Sequence, residues 1–256
     1  LERAGFIDNK FKRLNEEIDD PIEWYDLALK IYTSSYGFEI QGDSLLLARE
    51  NLLLTFIENY FYKFGIYPED NQLFDISTII SLNVFQMDGL TYQIPYTDRY
   101  NGNPGQMSLE ELLQDPKEVE PSLATLKLWD KNKVISYLDL LERNEKDMKF
   151  DVVIGNPPYQ QDIEGTSAKP VYPEFMDAAF KIGEKVILIT PARFLFNAGK
   201  TPKSWNRKML DDPHLKVLEY IKNSSYVFEN TDIKGGVAIT YHDQKNILGQ
   251  IGVFTV

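Results

Sequence analysis

The stretch "KFDVVIGNPPYQQ", residues 149–161, decides how this chain is read. Its first half, Phe150–Gly155, is a short apolar run with β-branched residues and a closing glycine, the pattern of a buried strand. Its second half cannot prolong that strand. Pro157 and Pro158 have no N–H to give to a ladder and hold φ near about −65°. Each also drives the residue before it out of the helical region, so Asn156 is kept extended. A strand that ends in so stiff a bend presents acceptors, namely the Asn156 side-chain oxygen and the Pro157 carbonyl, and Tyr159 adds a flat aromatic surface beside them.

Two fixed acceptors beside a stacking face suit a planar ligand that carries an NH₂ group. The exocyclic amine of adenine is a poor nucleophile because its lone pair is spread into the ring. Oxygens that take both of its N–H bonds favour the localised, pyramidal form, which is preorganisation for the charge of the transition state. No covalent intermediate is needed. The chain has no cysteine, which excludes a thiolate nucleophile, a thiolate metal site and a disulfide framework.

Composition sets the outer bounds. At 256 residues and 43% hydrophobic, the chain has enough apolar surface for one large domain or a domain with an appendage. Fifteen Tyr, fifteen Phe and three Trp argue against disorder. The longest apolar run, Val186–Phe196 ("VILITPARFLF"), is too short and too interrupted to span a bilayer. The chain opens on Leu1 without a charged and apolar leader, and is read as an excerpt of a longer soluble protein of the cytoplasm. Net charge is −12, carried by residues 1–150 with 27 acidic against 15 basic, whereas residues 151–256 hold 12 of each. Within Glu184–Lys222 the balance turns to 8 basic against 4 acidic. A polyanion would therefore approach downstream of the Asn-Pro-Pro-Tyr bend; an ordinary solvated face is the other reading of the same charges.

Strands and helices alternate along the chain. Glu23–Tyr32 reads as a helix ending and Ser34–Gln41 as a strand. Gly42–Gly65 reads as a long helix capped by Asp43 or Ser44 and stopped at Gly65. The β-branched run Ile76–Asp88 is a second strand candidate. Residues 89–148 interrupt the alternation, with a turn-rich first part, a short helix capped by Ser108 and a further helix in "NKVISYLDLLERNEK". Strands are then expected at Phe150–Gly155, Lys185–Ile189, Leu215–Ile221 and Gly236–Tyr241, with helices near Tyr172–Ile182 and Ser204–Asp212. The expectation is an α/β fold, a mostly parallel sheet with helices on both faces, in which ligands bind beyond the carboxyl ends of the strands.

"FDVVIGNPPY" resembles the catalytic motif of the N6-adenine DNA methyltransferases, members of the S-adenosylmethionine-dependent amino-methyltransferases. The resemblance covers nearly the whole chain and is nearest to the methylase part of type II restriction–modification enzymes. It implies a Rossmann-like S-adenosylmethionine-dependent methyltransferase fold, a single partial catalytic domain over 1–256 with an insertion at about 89–148. It makes Asn156, Pro157, Pro158 and Tyr159 the catalytic bend. "YGFEIQGDSLLLARENLL" resembles the family's second strand, which gives Glu39 the cofactor ribose and Ile40 its adenine ring. "NVFQMDGL" resembles the third-strand motif, which gives Asp88 the adenine amino group, with Gly89 and Leu90 beside it. "SSYVFENTDIKGGVAIT" resembles the motif that stacks on the flipped base, a role that falls on Phe228, with Lys234 as a second candidate nearby.

The implied cofactor is S-adenosylmethionine. The implied partners are double-stranded DNA and a nuclease or specificity region on the same or another chain, with no membrane and no metal. His214 and His242 have no ligand spacing and read as surface or satisfied side chains. Two family features are missing from the text. The Gly-rich cofactor loop should precede the Glu39 strand, yet Gly5 is the only glycine before Gly37, and no target recognition domain follows the last strands. Alternatives stay open beside the lead. The same bend occurs in methyltransferases of RNA bases and of protein glutamine, and a non-catalytic fragment that binds DNA or a partner chain is the reading from another class.

Overall fold

A computed structural model of the chain describes residues 5–97, 121–142, 150–161, 168–229 and 231–254. The expected helix at Ser108 and much of the expected insertion at 89–148 lie outside them. The chain divides into two compact units, Leu1–Asp139 and Leu140–Val256.

The first unit is built on helices α1 (Phe6–Glu17), α2 (Pro21–Thr33), α3 (Gly42–Phe64) and α4 (Asp70–Asn83). Asp20 starts α2: its carboxylate accepts from the N–H groups of Ile22 and Glu23, and Pro21 follows at the first helical position. Trp24 is fully buried at the centre, with the rings of Phe11, Tyr60 and Phe64 between 5.5 and 5.6 Å away. At about 25 cal/mol per Å², a buried aromatic of roughly 200 Å² contributes up to about 5 kcal/mol. Helix α3 ends as expected on Gly65, whose φ of 70° is left-handed. Its start differs. Gln41 occupies the cap position without a side-chain hydrogen bond, and Asp43 falls in the first turn, where its charge favours the helix dipole.

The expected strand at Ile76–Asp88 is a helix for most of its length. Ile76, Ile79, Ile80 and Asn83 are the buried residues of α4, a helical spacing that turns one face toward Trp24 and Phe56. Packing along that face overrides the strand preference of the isoleucines. Only Val84–Gln86 remains extended, as β2, paired in parallel with β1 (Gly37–Glu39) so that Glu39 lies opposite Gln86.

The next segment also divides. Strands β3 (Thr125–Leu128) and β4 (Lys133–Ser136) form an antiparallel hairpin, and among the described residues of the expected helix Tyr137–Glu142 is helical, as α5. Ser136 sets the switch: its hydroxyl accepts the Asp139 N–H at 3.1 Å while the Asp139 carboxylate accepts the Ser136 N–H at 3.3 Å.

The second unit holds a four-stranded sheet in the order β5 (Phe150–Gly155), β8 (Gly183–Pro191), β10 (Val237–Asp243), β9 (Leu215–Ile221). A short antiparallel pair, β6 (Gln160–Gln161) and β7 (Lys169–Pro170), follows the bend. Helix α6 (Tyr172–Ile182) joins β5 to β8, which pair in parallel. Helix α7 (Lys203–Asp211) precedes β9. Met176 of α6 and Trp205 and Met209 of α7 share one core cluster with Val186 and Leu188 of β8, so both helices cover the same face. On β5, Val152 and Ile154 are exposed.

The expected mostly parallel sheet with helices on both faces is thus not what these strands form. Strand β10 runs antiparallel to both β8 and β9. Between β9 and β10 the described residues hold no α-helix, only a 3₁₀ turn at Ser224–Tyr226. A strand reached without a crossover helix can return antiparallel beside its predecessor. The sheet is mixed and the class is α/β. Among the described residues no helix is long and apolar enough to cross a membrane.

Candidate active site

Because β10 is reversed, the carboxyl ends of β5, β8 and β9 and the amino end of β10 meet at one edge of the sheet. A cavity of about 690 Å³ opens there, lined by Asn156–Tyr159 and by Arg193, Phe228 and Lys234 among others. That volume lies within the range of ~300–1,000 Å³ of ordinary ligand sites. Beyond the bend, the Tyr159 carbonyl accepts the Val171 N–H at 3.2 Å, and Gln160 and Gln161 pair with Pro170 and Lys169, which anchors its downstream arm.

Asn156 is exposed, and neither its side chain nor the Pro157 carbonyl accepts a hydrogen bond among the described residues. Tyr159 is half-buried. Its hydroxyl oxygen is buried without a hydrogen-bond partner among the described residues. Burial pushes the phenol up to about 12, so it is neutral at physiological pH and no proton acceptor. Its ring meets that of Phe228 edge to face, with centroids 6.2 Å apart and planes at 75°. The two rings therefore form a corner, one face and one edge, rather than two parallel walls.

The loop that carries Phe228 is tied down by Ser224. That buried hydroxyl donates to the Thr231 carbonyl and accepts the Ile233 N–H, both at 2.8 Å, while the Phe228 N–H reaches the Ser224 carbonyl at 2.8 Å. Lys234 is exposed on the same wall.

The other candidate residues belong to the first unit. Glu39 ends β1, and Asp88 lies two residues beyond β2. One Glu39 oxygen accepts the Gln41 N–H at 3.0 Å. One Asp88 oxygen accepts the Leu90 N–H at 2.8 Å and, more weakly, that of Thr91 at 3.3 Å, so the carboxylate builds the turn that contains Gly89 and Leu90. In each carboxylate the second oxygen has no hydrogen bond among the described residues. Ile40 is 48% exposed, and its carbonyl accepts from the Gln86 amide at 2.8 Å.

Two uncommitted carboxylate oxygens at neighbouring parallel strand ends, next to an exposed aliphatic face, fit the hydroxyls and planar base of a nucleoside. The structure thus brings Asn156, Pro157, Pro158 and Tyr159 together with Phe228 and Lys234, and separately Glu39 and Ile40 with Asp88, Gly89 and Leu90.

Sequence reasoning missed Arg193, Lys200 and Asp232, which line the same cavity. The sequence offers only a weak cue for the first, a cation two residues beyond the end of β8 in "TPARFLF", and that does not by itself mark a site residue.

Residues 33–228 match the profile of the Eco57I restriction-modification methylases. A curated protein of Mycoplasma pneumoniae (strain ATCC 29342 / M129 / Subtype 1), described as an "Uncharacterized adenine-specific methylase", is 30% identical over 106 residues, which is 40% of this chain and 25% of that protein. The chain thus covers about a quarter of that relative's length. The profile match takes in well over half of the chain, from the end of α2 through Glu39, Asp88 and the whole bend to Phe228, and the chain belongs to the Eco57I restriction-modification methylase family.

Proposed function

We propose that this chain is the methylase part of a type II restriction–modification enzyme that methylates adenine N6 in double-stranded DNA, with the target base turned out of the duplex. The observation that carries the reading is the pair of uncommitted acceptors, the Asn156 amide oxygen and the Pro157 carbonyl, at a cavity walled by Tyr159 and Phe228. Membership of the methylase family supports it, as does the likeness to a protein described as an adenine-specific methylase. The parallel pairs β1–β2 and β5–β8 support a Rossmann-like fold, with both units in one catalytic domain and residues 89–148 as its insertion. A nuclease or specificity region, on this or another chain, is the further partner this reading implies.

S-adenosylmethionine, when bound, would supply a methyl group made electrophilic by its sulfonium, with the methyl–sulfur bond giving its electron pair to sulfur and leaving a neutral thioether. Glu39 is the residue to hold its ribose hydroxyls and Asp88 its adenine amino group, with Ile40, Gly89 and Leu90 against the ring. Asn156 and Pro157 each accept one N–H of the target amine, which keeps its lone pair off the ring and turned outward. As the new N–C bond forms, positive charge grows on N6 and both of these hydrogen bonds strengthen. Tyr159 and Phe228 hold the base in their corner, so that transfer is a matter of position. The proton then released from N6 leaves through the exposed mouth, because the Tyr159 phenol already holds its own proton.

The test is incubation of the protein with methyl-labelled S-adenosylmethionine and duplex DNA, followed by identification of the modified nucleoside. N6-methyladenine is the expected product. Label in RNA or in a protein glutamine instead, or none in any of the three, overturns the reading. Asn156→Ala should lower the rate by at least about a hundredfold, the scale for losing one preorganised polar contact to a transition state, while cofactor affinity stays within twofold.

A further inference from the structure

The cavity's second wall has a charge pattern that a lone base does not call for. Arg193, Lys200 and Lys234 all line it, and among the described lining residues the one carboxylate is that of Asp232. The Arg193 carbonyl accepts the Ala198 N–H at 3.0 Å, but its guanidinium makes no hydrogen bond or ion pair among the described residues. Among the described residues the Lys200 ammonium donates only to the Ala168 carbonyl, at 3.0 Å. A surface arginine commonly settles against a carboxylate, and three cations around one cavity repel one another unless an anion joins them.

Arg193 is also built into position. Its stem runs between Gly199 and Gly235, which have φ of +91° and +89°. A methyl group at Gly235 would come within 2.7 Å of the Arg193 Cγ, and one at Gly199 within 3.5 Å of its Nε. The Gly235 backbone thus packs closely on the stem and Gly199 stands at ordinary contact distance on the other side, and a side chain held on one flank loses less freedom when it binds. The segment that bears Arg193 and Lys200 is fixed from beneath. Buried Asn206 accepts from the Thr201 hydroxyl at 2.7 Å and donates to the Asn197 side chain at 3.2 Å. The guanidinium is thus a planar, permanently charged fork held at the rim of the cavity that contains Asn156.

We propose that Arg193, assisted by Lys200, grips a phosphodiester next to the target adenine, so that the site accepts a base within a polynucleotide and not a free base or an amide side chain. This rests on the adenine reading of the same cavity. The chemistry is that of a bidentate guanidinium–phosphate contact, and it accounts for the basic excess downstream of the bend in a chain whose net charge is −12. Lys234, on the neighbouring loop, adds to the same positive field.

The test is binding of a fluorescein-labelled single-stranded oligonucleotide with one adenine, read by anisotropy between 50 and 200 mM KCl. In the wild-type protein, replacing the phosphate on one side of the adenine by a neutral methylphosphonate should weaken binding on the order of tenfold. Arg193→Gln should weaken binding of the unmodified strand by a similar factor and reduce the slope of log Kd against log salt by about 0.7. The methylphosphonate should then cost the variant little more, as expected for two ends of one contact. Arg193→Lys should recover most of the slope but not the affinity. Unchanged slope and affinity in Arg193→Gln, or no loss with a methylphosphonate on either side of the adenine, overturns the proposal, and the second result needs no variant to fold. If the wild type methylates adenine yet binding ignores Arg193, the phosphate grip fails alone. If binding depends on Arg193 but no adenine is methylated, the grip stands and the functional reading fails.

Discussion

Tyr159→Phe separates what the Tyr159 ring does from what its hydroxyl does. The oxygen is buried and has no hydrogen-bond partner among the described residues. A hydroxyl taken from water without a replacement bond costs roughly 1–3 kcal/mol in protein mutational data. The ring is only half-buried, so the lower end applies, and removing the oxygen should stabilise the fold by about 1 kcal/mol. For a chain of this size that corresponds to about 2–4 °C in Tm. The edge-to-face contact with Phe228, 6.2 Å between centroids, is kept, and such contacts contribute about 0.5–1.5 kcal/mol. Tyr159→Leu, which loses it, should therefore be less stable than Tyr159→Phe. Urea unfolding at constant m-value measures both. Methyl transfer by Tyr159→Phe should stay within about threefold, because the face against the base and the acceptors at Asn156 and Pro157 are untouched. A loss of 1 kcal/mol or more in Tyr159→Phe would refute the reasoning, since it would mean that the hydroxyl makes a bond the fold depends on.

Other expectations concern stability. His242 is buried against Phe180, ring centroids 4.1 Å apart, with Asp212, His214 and Asp243 around it, and its Nδ1 has no partner among the described residues. Desolvation is the largest influence and depresses its pKa despite Asp212. The unfolded chain then binds the proton more readily, so stability is full above about pH 6.5 and falls as pH drops from there through the folded pKa. His242→Gln should flatten the urea midpoint against pH over that interval, and an unchanged slope would exclude His242 as its source. Asn83→Ala removes donation to the Tyr32 and Ser35 carbonyls, at 2.9 and 3.1 Å, and acceptance from Trp129 at 2.8 Å. A loss of about 2–4 kcal/mol in urea unfolding is expected, and a loss below about 1 would show that water replaces the amide.

The parts of the fold that were legible in the sequence are those fixed by neighbours along the chain. Phe150–Gly155 and Leu215–Ile221 are strands with the expected ends, because turn formers bound both runs. Within the strand expected at Ile76–Asp88, the β-branched residues favour an extended chain locally, whereas the partners that select a helix over Ile76–Asn83, Trp24 and Phe56, lie far away in the chain. The place of β10 between β8 and β9 is likewise a matter of remote pairing. It is this insertion that carries the Phe228–Gly235 loop to the edge where β5 ends. Phe228 and Lys234 were nameable from their motif, but Arg193 was not. What distinguishes it is the space between Gly199 and Gly235, and neither glycine announces its neighbour.

Asp88 and Asn156 show why the bend could be read so far toward chemistry. Both follow a strand end and both side chains can accept from the backbone. Asp88 does so, taking the N–H of the residue two places on, Leu90, at 2.8 Å. This local bond is the usual fate of Asp and Asn in turns. Asn156 is denied it, because the residue two places on is Pro158 and the one between is Pro157, neither of which has an N–H. The prolines therefore do two things at once. They hold the backbone extended, and they remove the donors that would otherwise occupy the amide oxygen. The acceptor left open in this way stays exposed to water at the rim of the cavity, with no protein N–H that an incoming donor would have to displace, so in the proposed reading the two prolines are as much a part of the recognition of an amine as the oxygens that contact it.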